Sequence, residues 1–234
     1  ACAASLPADV VAAGRCAIGH TRWATHGAPT EANAHPHFSR NGRIAVVHNG
    51  IIENYRELKE HLVRQGFVFS SETDTEVLPH LIEACYEGDL RRAVAAALDR
   101  VEGAYGLAVI SDLYPDRIVV ARKGSPLAIG VGEGETLVGS DVSALVSHTR
   151  QVIFLQDEDI AEIGSDSCNI ASLRNVPVSR ETIHIDWLPD RVEKGGCEHF
   201  MLKEIREQPE ALANTLRGRL VEKEGTVKLS GLRM

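Results

Sequence analysis

The apolar pattern predicts an α+β fold. Helix-spaced apolar residues are grouped between Tyr55 and Val101, and short β-type runs are grouped after Ala104. Alternating βαβ units would interleave the two kinds of pattern, so their segregation points to layers of helix and antiparallel sheet. The composition fits such a domain. Of 234 residues, 44% are hydrophobic and 25% charged, an ordinary globular balance in a chain long enough to bury a sizeable core.

In chain order, Ile44 to Val47 predicts a short strand that ends in a turn at His48-Asn49-Gly50, because Asn-Gly suits tight turns. Tyr55, Leu58, Leu62 and Val63 fall on one face of a helix that stops at Gly66, a residue at ease in the left-handed conformation of a helix end. Phe67 to Ser70 predicts another strand. Thr73-Asp74-Thr75-Glu76 has the form of a capping box opening a second helix, with Pro79 disfavouring its first turns. Asp89 caps a third helix whose apolar face is Val94, Ala97, Leu98 and Val101. The strands then expected are Leu107–Ile110, Ile118–Ala121, Leu127–Val131 and Thr136–Gly139, with turns at Tyr114-Pro115-Asp116 and Gly132-Glu133-Gly134. Asp141 caps a short helix, and Val152–Leu155 and Ile160–Ile163 continue the sheet. Arg180 to Gly196 is an irregular connector, and His199 to Leu216 is helical, broken near Gln208-Pro209.

Charge and cysteine usage exclude several functions. The net charge of −8 opposes a nucleic-acid surface, which needs clustered Lys and Arg to replace counterions. The longest apolar run, Ala93 to Leu98, is far short of the roughly 20 residues that span a bilayer. No secretory signal is expected, and five cysteines without a CxxC pair argue against a disulfide framework or a thiolate zinc site. A reduced, cytoplasmic setting is expected.

Three places carry chemistry. His20-Thr21-Arg22-Trp23-Ala24-Thr25-His26-Gly27 and Asn33-Ala34-His35-Pro36-His37 hold four of the ten histidines. This stretch reads as a solvated loop with an aromatic anchor, as a metal site of His26, His35 and His37, or as a lid clamping a small anion. In the last case Arg22 pairs with a carboxylate, Trp23 excludes water and Thr25 supplies a hydroxyl. In the second place, His48-Asn49-Gly50, the Asn49 amide and the Gly50 N–H can form a pair of oxyanion donors, or Asn-Gly simply makes a turn. Asp74 is the third, a carboxylate that is favourable at a helix N-terminus in any case.

The stretches HTRWATHG (His20 to Gly27), NAHPH (Asn33 to His37), VVHNGIIENY (Val46 to Tyr55), SETDTEV (Ser71 to Val77), GAYGLAV (Gly103 to Val109) and HFMLKEIREQP (His199 to Pro209) occur in that order. Together they resemble the class II glutamine amidotransferase domain of the isomerising glutamine–fructose-6-phosphate aminotransferases, over nearly the whole chain. The resemblance implies a four-layer α-β-β-α sandwich of the N-terminal-nucleophile hydrolase type, here expected to lack its first strand and helix. Residues 1–196 would be the amidotransferase domain, and 197–234 a helical segment leading toward a sugar-isomerase half not contained in this chain.

It also implies a reaction, the hydrolysis of L-glutamine to glutamate and ammonia without cofactor or metal. Arg22 would bind the α-carboxylate, with Trp23, Thr25 and His26 in the loop that closes over it. Asp74 would hold the α-ammonium, and Asn49 with the Gly50 backbone would form the oxyanion hole. Fructose 6-phosphate would be met only by the isomerase half, and a homo-oligomer is implied, with no nucleic-acid or membrane partner. The family's nucleophile is an N-terminal Cys opening a CGIVG-type strand, whereas Cys2 is followed by Ala3-Ala4-Ser5. The chain alone is therefore expected to be inactive. The alternative is a glutamine-binding or regulatory module that has kept the Arg22/Asp74 clamp.

Overall fold

The structure is a computed structural model that describes residues 15–21, 27–186, 195–216, 220–221 and 226–227. The chain divides into two compact units, Ala1–Asp186 and Trp187–Met234.

In the first unit the strands β1 (His37–Phe38) and β2 (Ile44–Ile52) are followed by three helices, α1 (Tyr55–Arg64), α2 (Val77–Ala84) and α3 (Leu90–Leu98). Strands β3 (Gly103–Ser111), β4 (Tyr114–Lys123), β5 (Ala128–Val131), β6 (Thr136–Gly139), β7 (Gln151–Phe154), β8 (Asp159–Gly164), β9 (Ser167–Ser172) and β10 (Thr182–His184) complete it. They form two antiparallel sheets, a six-stranded one in the order β1-β2-β3-β4-β8-β9 and a four-stranded one in the order β10-β7-β5-β6. The α+β class is therefore as expected, with the strands divided between two sheets.

Alternation along the strands of the larger sheet builds two cores. Val46, Leu107, Val119 and Ile160 point to one face, where they pack with Leu58, Leu62, Leu81 and Val94 of the helices. Val47, Ala108, Val120 and Ala161 point to the other, against Leu127, Ile129 and Ile153 of the smaller sheet. Adjacent residues serve opposite layers because side chains in a strand alternate sides. Every residue from Val77 to Ile82 of α2 is buried, so this helix is wrapped on all sides. Each fully buried Leu or Ile contributes roughly 1.5–3 kcal/mol over its exposed state. Among the described residues of this unit the layers run helix, sheet, sheet.

Local signals were sound where the partner lies close in sequence. The Asp89 carboxylate accepts from the Arg92 N–H at 2.9 Å, and Asp141 accepts from Ser143 at the short helical turn Val142–Ala144. Gly66 has φ +84° just past α1.

Other expectations are corrected. His48-Asn49-Gly50 is no turn: β2 runs through it to Ile52, pairing Asn49 with Gly106 and Gly50 with Tyr105. Strand Phe67–Ser70 does not form, because Phe67 is drawn into the helix-side core and the segment becomes a loop. The capping box does not form either. Glu76 stands at the start of α2 with no side-chain cap bond, and its carboxylate turns back to Ser70 and Ser71. Pro79 is accommodated in the first turn, where N–H groups have no intrahelical acceptor anyway. Val63 is 52% exposed, outside the buried stripe of Leu58 and Leu62. The β3–β4 turn falls at Asp112-Leu113, with Tyr114 already in the ladder. The stretch expected as a connector contributes β10, paired to β7.

In the second unit, helix α4 (Phe200–Leu216) continues through Pro209 without the expected break, and β11 (Leu220–Val221) pairs with β12 (Thr226–Val227).

Candidate functional site

The second half of β2 is the base of the site. Its first half is apolar on both faces, whereas His48 and Asn49 place polar side chains on opposite faces of the same ladder. Beneath the helices, His48 Nδ1 lies 2.9 Å from Thr75 Oγ1 and Nε2 lies 3.3 Å from the Ala104 carbonyl. Burial pushes the His48 imidazole below its ordinary pKa, although the Asp74 charge acts the other way. Asn49 meets His20, whose Nε2 is 2.8 Å from the Asn49 Oδ1. That bond turns the oxygen of the carboxamide to His20 and leaves its NH2 group to serve as donor elsewhere.

Gly50 has φ +128°, and a Cβ there would stand 2.1 Å from the Ala104 carbonyl oxygen. Only glycine permits the strand to pass this close to β3 in that conformation. A cavity of about 560 Å³ opens beside Asn49, lined among others by His20, Thr21, His48, Gly106 and Leu137.

Asp74 reaches the same strand from another direction. It is 3% exposed, and its Oδ2 accepts the Ile52 N–H at 2.8 Å. It does not line the cavity. The loop that carries it is joined to the histidine-rich segment through Thr73 Oγ1, 3.0 Å from His37 Nε2. Asn33 makes a second junction, with Nδ2 donating to Glu72 Oε2 at 3.2 Å and Oδ1 accepting from the Glu72 N–H at 2.9 Å. A Cβ at Gly27, where φ is +73°, would stand 2.6 Å from the Asn33 Nδ2, so the chain leaving the HTRWATHG stretch packs directly on this junction.

His35 stacks on His20 with ring centroids 4.3 Å apart and accepts the His48 N–H on Nδ1 at 3.2 Å. The described histidines thus stack and hydrogen-bond rather than converge on a point. Among the described residues, no group of three or more His, Cys, Asp or Glu is arranged to hold a metal ion.

The structure therefore brings Asn49, Gly50 and Asp74 to one end of β2. Arg22, Trp23, Thr25 and His26 lie outside the described residues, as does Cys2. None of the four described cysteines (Cys16, Cys85, Cys168 and Cys197) lines the cavity. Burial pushes the Cys16 and Cys168 thiols up, away from the reactive thiolate form. Cys197 has Arg206 Nη1 at 3.8 Å, and His199 is exposed, so no thiol–imidazole dyad forms between Cys197 and His199.

Sequence reasoning missed Thr75, Thr73, Ser71 and Glu76 as parts of the site. Their signal was available as an unusual density of hydroxyls around one Asp, but it reads equally as a helix start.

Comparison with known proteins identifies the family of the chain. Residues 20–147 match the model of a glutamine amidotransferase domain. The chain is 55% identical over 216 residues to a glutamine–fructose-6-phosphate aminotransferase (isomerizing) of Symbiobacterium thermophilum, covering 92% of this chain and 36% of that protein. The protein of that name from Thermus thermophilus gives the same identity and coverage. The chain thus spans about a third of the length of these relatives. Among solved structures, the glutamine phosphoribosylpyrophosphate amidotransferase of B. subtilis aligns with TM-score 0.57 and 27% identity, over 66% of this chain and 34% of that one.

Proposed function

The chain belongs to the glutamine amidotransferase domain family, and from that premise we propose that its site binds L-glutamine and releases the amide nitrogen as ammonia. The observation that carries the reading is that Asn49 lines a cavity large enough for a small amino acid while Gly50 follows it in β2 and Asp74, outside the cavity lining, accepts the Ile52 N–H at the same end of the strand. In this reading Asp74 holds the α-ammonium, and Arg22 on the adjoining segment holds the α-carboxylate, with Trp23, Thr25 and His26 closing over the substrate. As a thiolate attacks the amide carbon, charge develops on the amide oxygen. The Asn49 NH2 and the Gly50 N–H, fixed on a ladder that need not reorganise, stabilise it.

Turnover needs an attacking thiol, and among the described residues no cysteine lines the cavity. Without a nucleophile, a comparable covalent enzyme loses on the order of 10⁶ in kcat, retaining roughly 10³–10⁴ over water from binding and oxyanion donors. Within a longer protein like its relatives, residues 1–196 would act as the amidotransferase domain. Residues 197–234 would lead on to a sugar-isomerase portion where fructose 6-phosphate accepts the ammonia. The test is calorimetric titration with L-glutamine together with an assay of glutamate release, with and without a thiol-directed glutamine analogue. Saturable binding supports the proposal; no binding at millimolar glutamine overturns it. Release blocked by the analogue identifies the attacking thiol as the cysteine that carries the label.

A further inference from the structure

The loop from Ser70 to Glu76 closes on itself through one carboxylate. Glu76 is 4% exposed. Its Oε1 accepts the Ser70 N–H at 2.7 Å and the Ser70 hydroxyl at 2.9 Å; its Oε2 accepts the Ser71 N–H at 2.7 Å and the Ser71 hydroxyl at 2.6 Å. A carboxylate this deep is stable in its charged form only with such a set of donors, and the buried Ser71 donors in turn have no water to replace it.

The nearest titratable side chain does not compete. His80 Nε2 is 3.9 Å from Glu76 Oε1, beyond hydrogen-bond reach. The His80 ring packs instead against Phe67 and Phe69.

The crest of the closed loop is Thr73-Asp74-Thr75, and each of these side chains reaches a different part of the site. Thr73 meets His37, Asp74 takes the Ile52 N–H at the end of β2, and Thr75 meets His48. Closing the base of the loop therefore sets where its crest stands. The helix that follows would gain from Glu76 as a cap, and it goes uncapped. The carboxylate is committed to the loop.

We propose that Glu76 is a positioning residue for the ammonium-binding carboxylate, holding Asp74 against β2 through the Ser70 and Ser71 donors without itself touching substrate. What Asp74 binds rests on the glutamine reading; the mechanical link from Glu76 to Asp74 does not.

The experiment uses the full chain as wild type, Glu76→Gln and Ser71→Ala, with two readouts. Hydrogen exchange at the Ile52 amide, normalised to the Val46 amide in the same strand, reports whether Asp74 is in place. Calorimetry compares L-glutamine with 4-carbamoylbutanoate, the same molecule without its α-amino group. E76Q is expected to speed Ile52 exchange about tenfold and weaken L-glutamine about tenfold, the scale of a charge-assisted hydrogen bond, while 4-carbamoylbutanoate changes less than about twofold. S71A, which removes one of the four bonds to Glu76 together with the Ser71 hydroxyl's contacts to the Thr73 hydroxyl at 2.9 Å and the Thr73 N–H at 3.3 Å, keeps the charge and moves both readouts the same way by roughly threefold. Unchanged Ile52 exchange in both variants overturns the proposal, as does equal weakening of the two ligands, which marks a merely structural role. Wild-type protein that binds neither ligand sinks the glutamine reading alone, because Ile52 exchange still decides the link.

Discussion

Ile44–Val47 and His48–Ile52 are successive halves of one strand, paired throughout to β3, and they contribute differently. In the first half Ile44 and Val46 enter the helix-side core, and Val47 enters the core between the sheets. In the second half His48 and Asn49 exchange that apolar contact for Thr75, Ala104 and His20, and Gly50 has no side chain to pack. Burial of polar groups is tolerated there because each finds a partner and because the adjoining half anchors the ladder. Asn49 and Gly50 are held firmly because they are part of a sheet whose stability comes from residues only a few positions away.

The sharpest way to break this division is Gly50→Ala, since Gly50 serves both the close packing of the ladder and the chemistry of the site. Strain at φ +128° and the 2.1 Å approach to the Ala104 oxygen are expected to cost about 2–6 kcal/mol together, and to abolish glutamine binding as well. Urea denaturation with m unchanged measures the first effect; a variant as stable as wild type would show that β2 can shift past β3. Ile44→Ala should cost about 2–5 kcal/mol by cavity formation, with glutamine affinity within about twofold of wild type. A large loss of affinity in folded I44A would mean that the two halves are energetically coupled.

Asn49→Ala is its mirror image. It should lower any measurable glutamate release about 10²–10³-fold and leave stability within about 1 kcal/mol.

Acid provides the gentlest separation. Burial pushes His80 below its ordinary value of 6.5, with Glu76 and Glu83 acting upward and Arg40 acting downward as well, and burial pushes His48 down too. A histidine depressed in the folded state binds its proton more readily when unfolded, so stability is full above pH 6.5 and declines as the pH falls below it. Burial would raise the Glu76 carboxyl, but the Ser70 and Ser71 hydrogen bonds outweigh it and hold it below its ordinary 4.5. Its contribution is therefore present above that value and is lost as the pH falls through the depressed folded-state pKa. Stability should fall in two stages, and His80→Leu should shrink the first. Unfolding free energies that rise from about pH 7.5 to about pH 5.5 would contradict the assignment of both histidines as buried and neutral.

Much of the fold was legible from local pattern. Asp89 before Leu90-Arg91-Arg92 announces a cap because its acceptor and the donor it serves are three residues apart. The run Thr136–Gly139 was read to the residue, since a Gly-rich turn brackets it on one side and Gly139 itself on the other. Asn49, Gly50 and Asp74 were expected as site residues from motif order, and the structure places the first two in β2 with the Asp74 carboxylate on the Ile52 N–H of that strand. The long segment from His20 to His37 was legible only in composition. His35 and His37 turned out to be acceptors and neighbours for β2 and the Ser70–Glu76 loop, roles that depend on contacts distant in sequence.

The sequence by itself determined the short apolar runs that became strands, the helix stop at Gly66 and the cap at Asp89. All of these follow from interactions a few residues long. Tertiary structure alone decided whether His48-Asn49-Gly50 turned or ran on, and whether Glu76 capped a helix or closed a loop. An Asn-Gly pair prefers a turn only until a partner strand offers a ladder across it, as β3 does. A carboxylate caps the nearest helix only until a deeper set of unpaired N–H and hydroxyl donors competes for it. Which donors are left unpaired is settled by how the layers pack, and that is where Asp74 acquired its place.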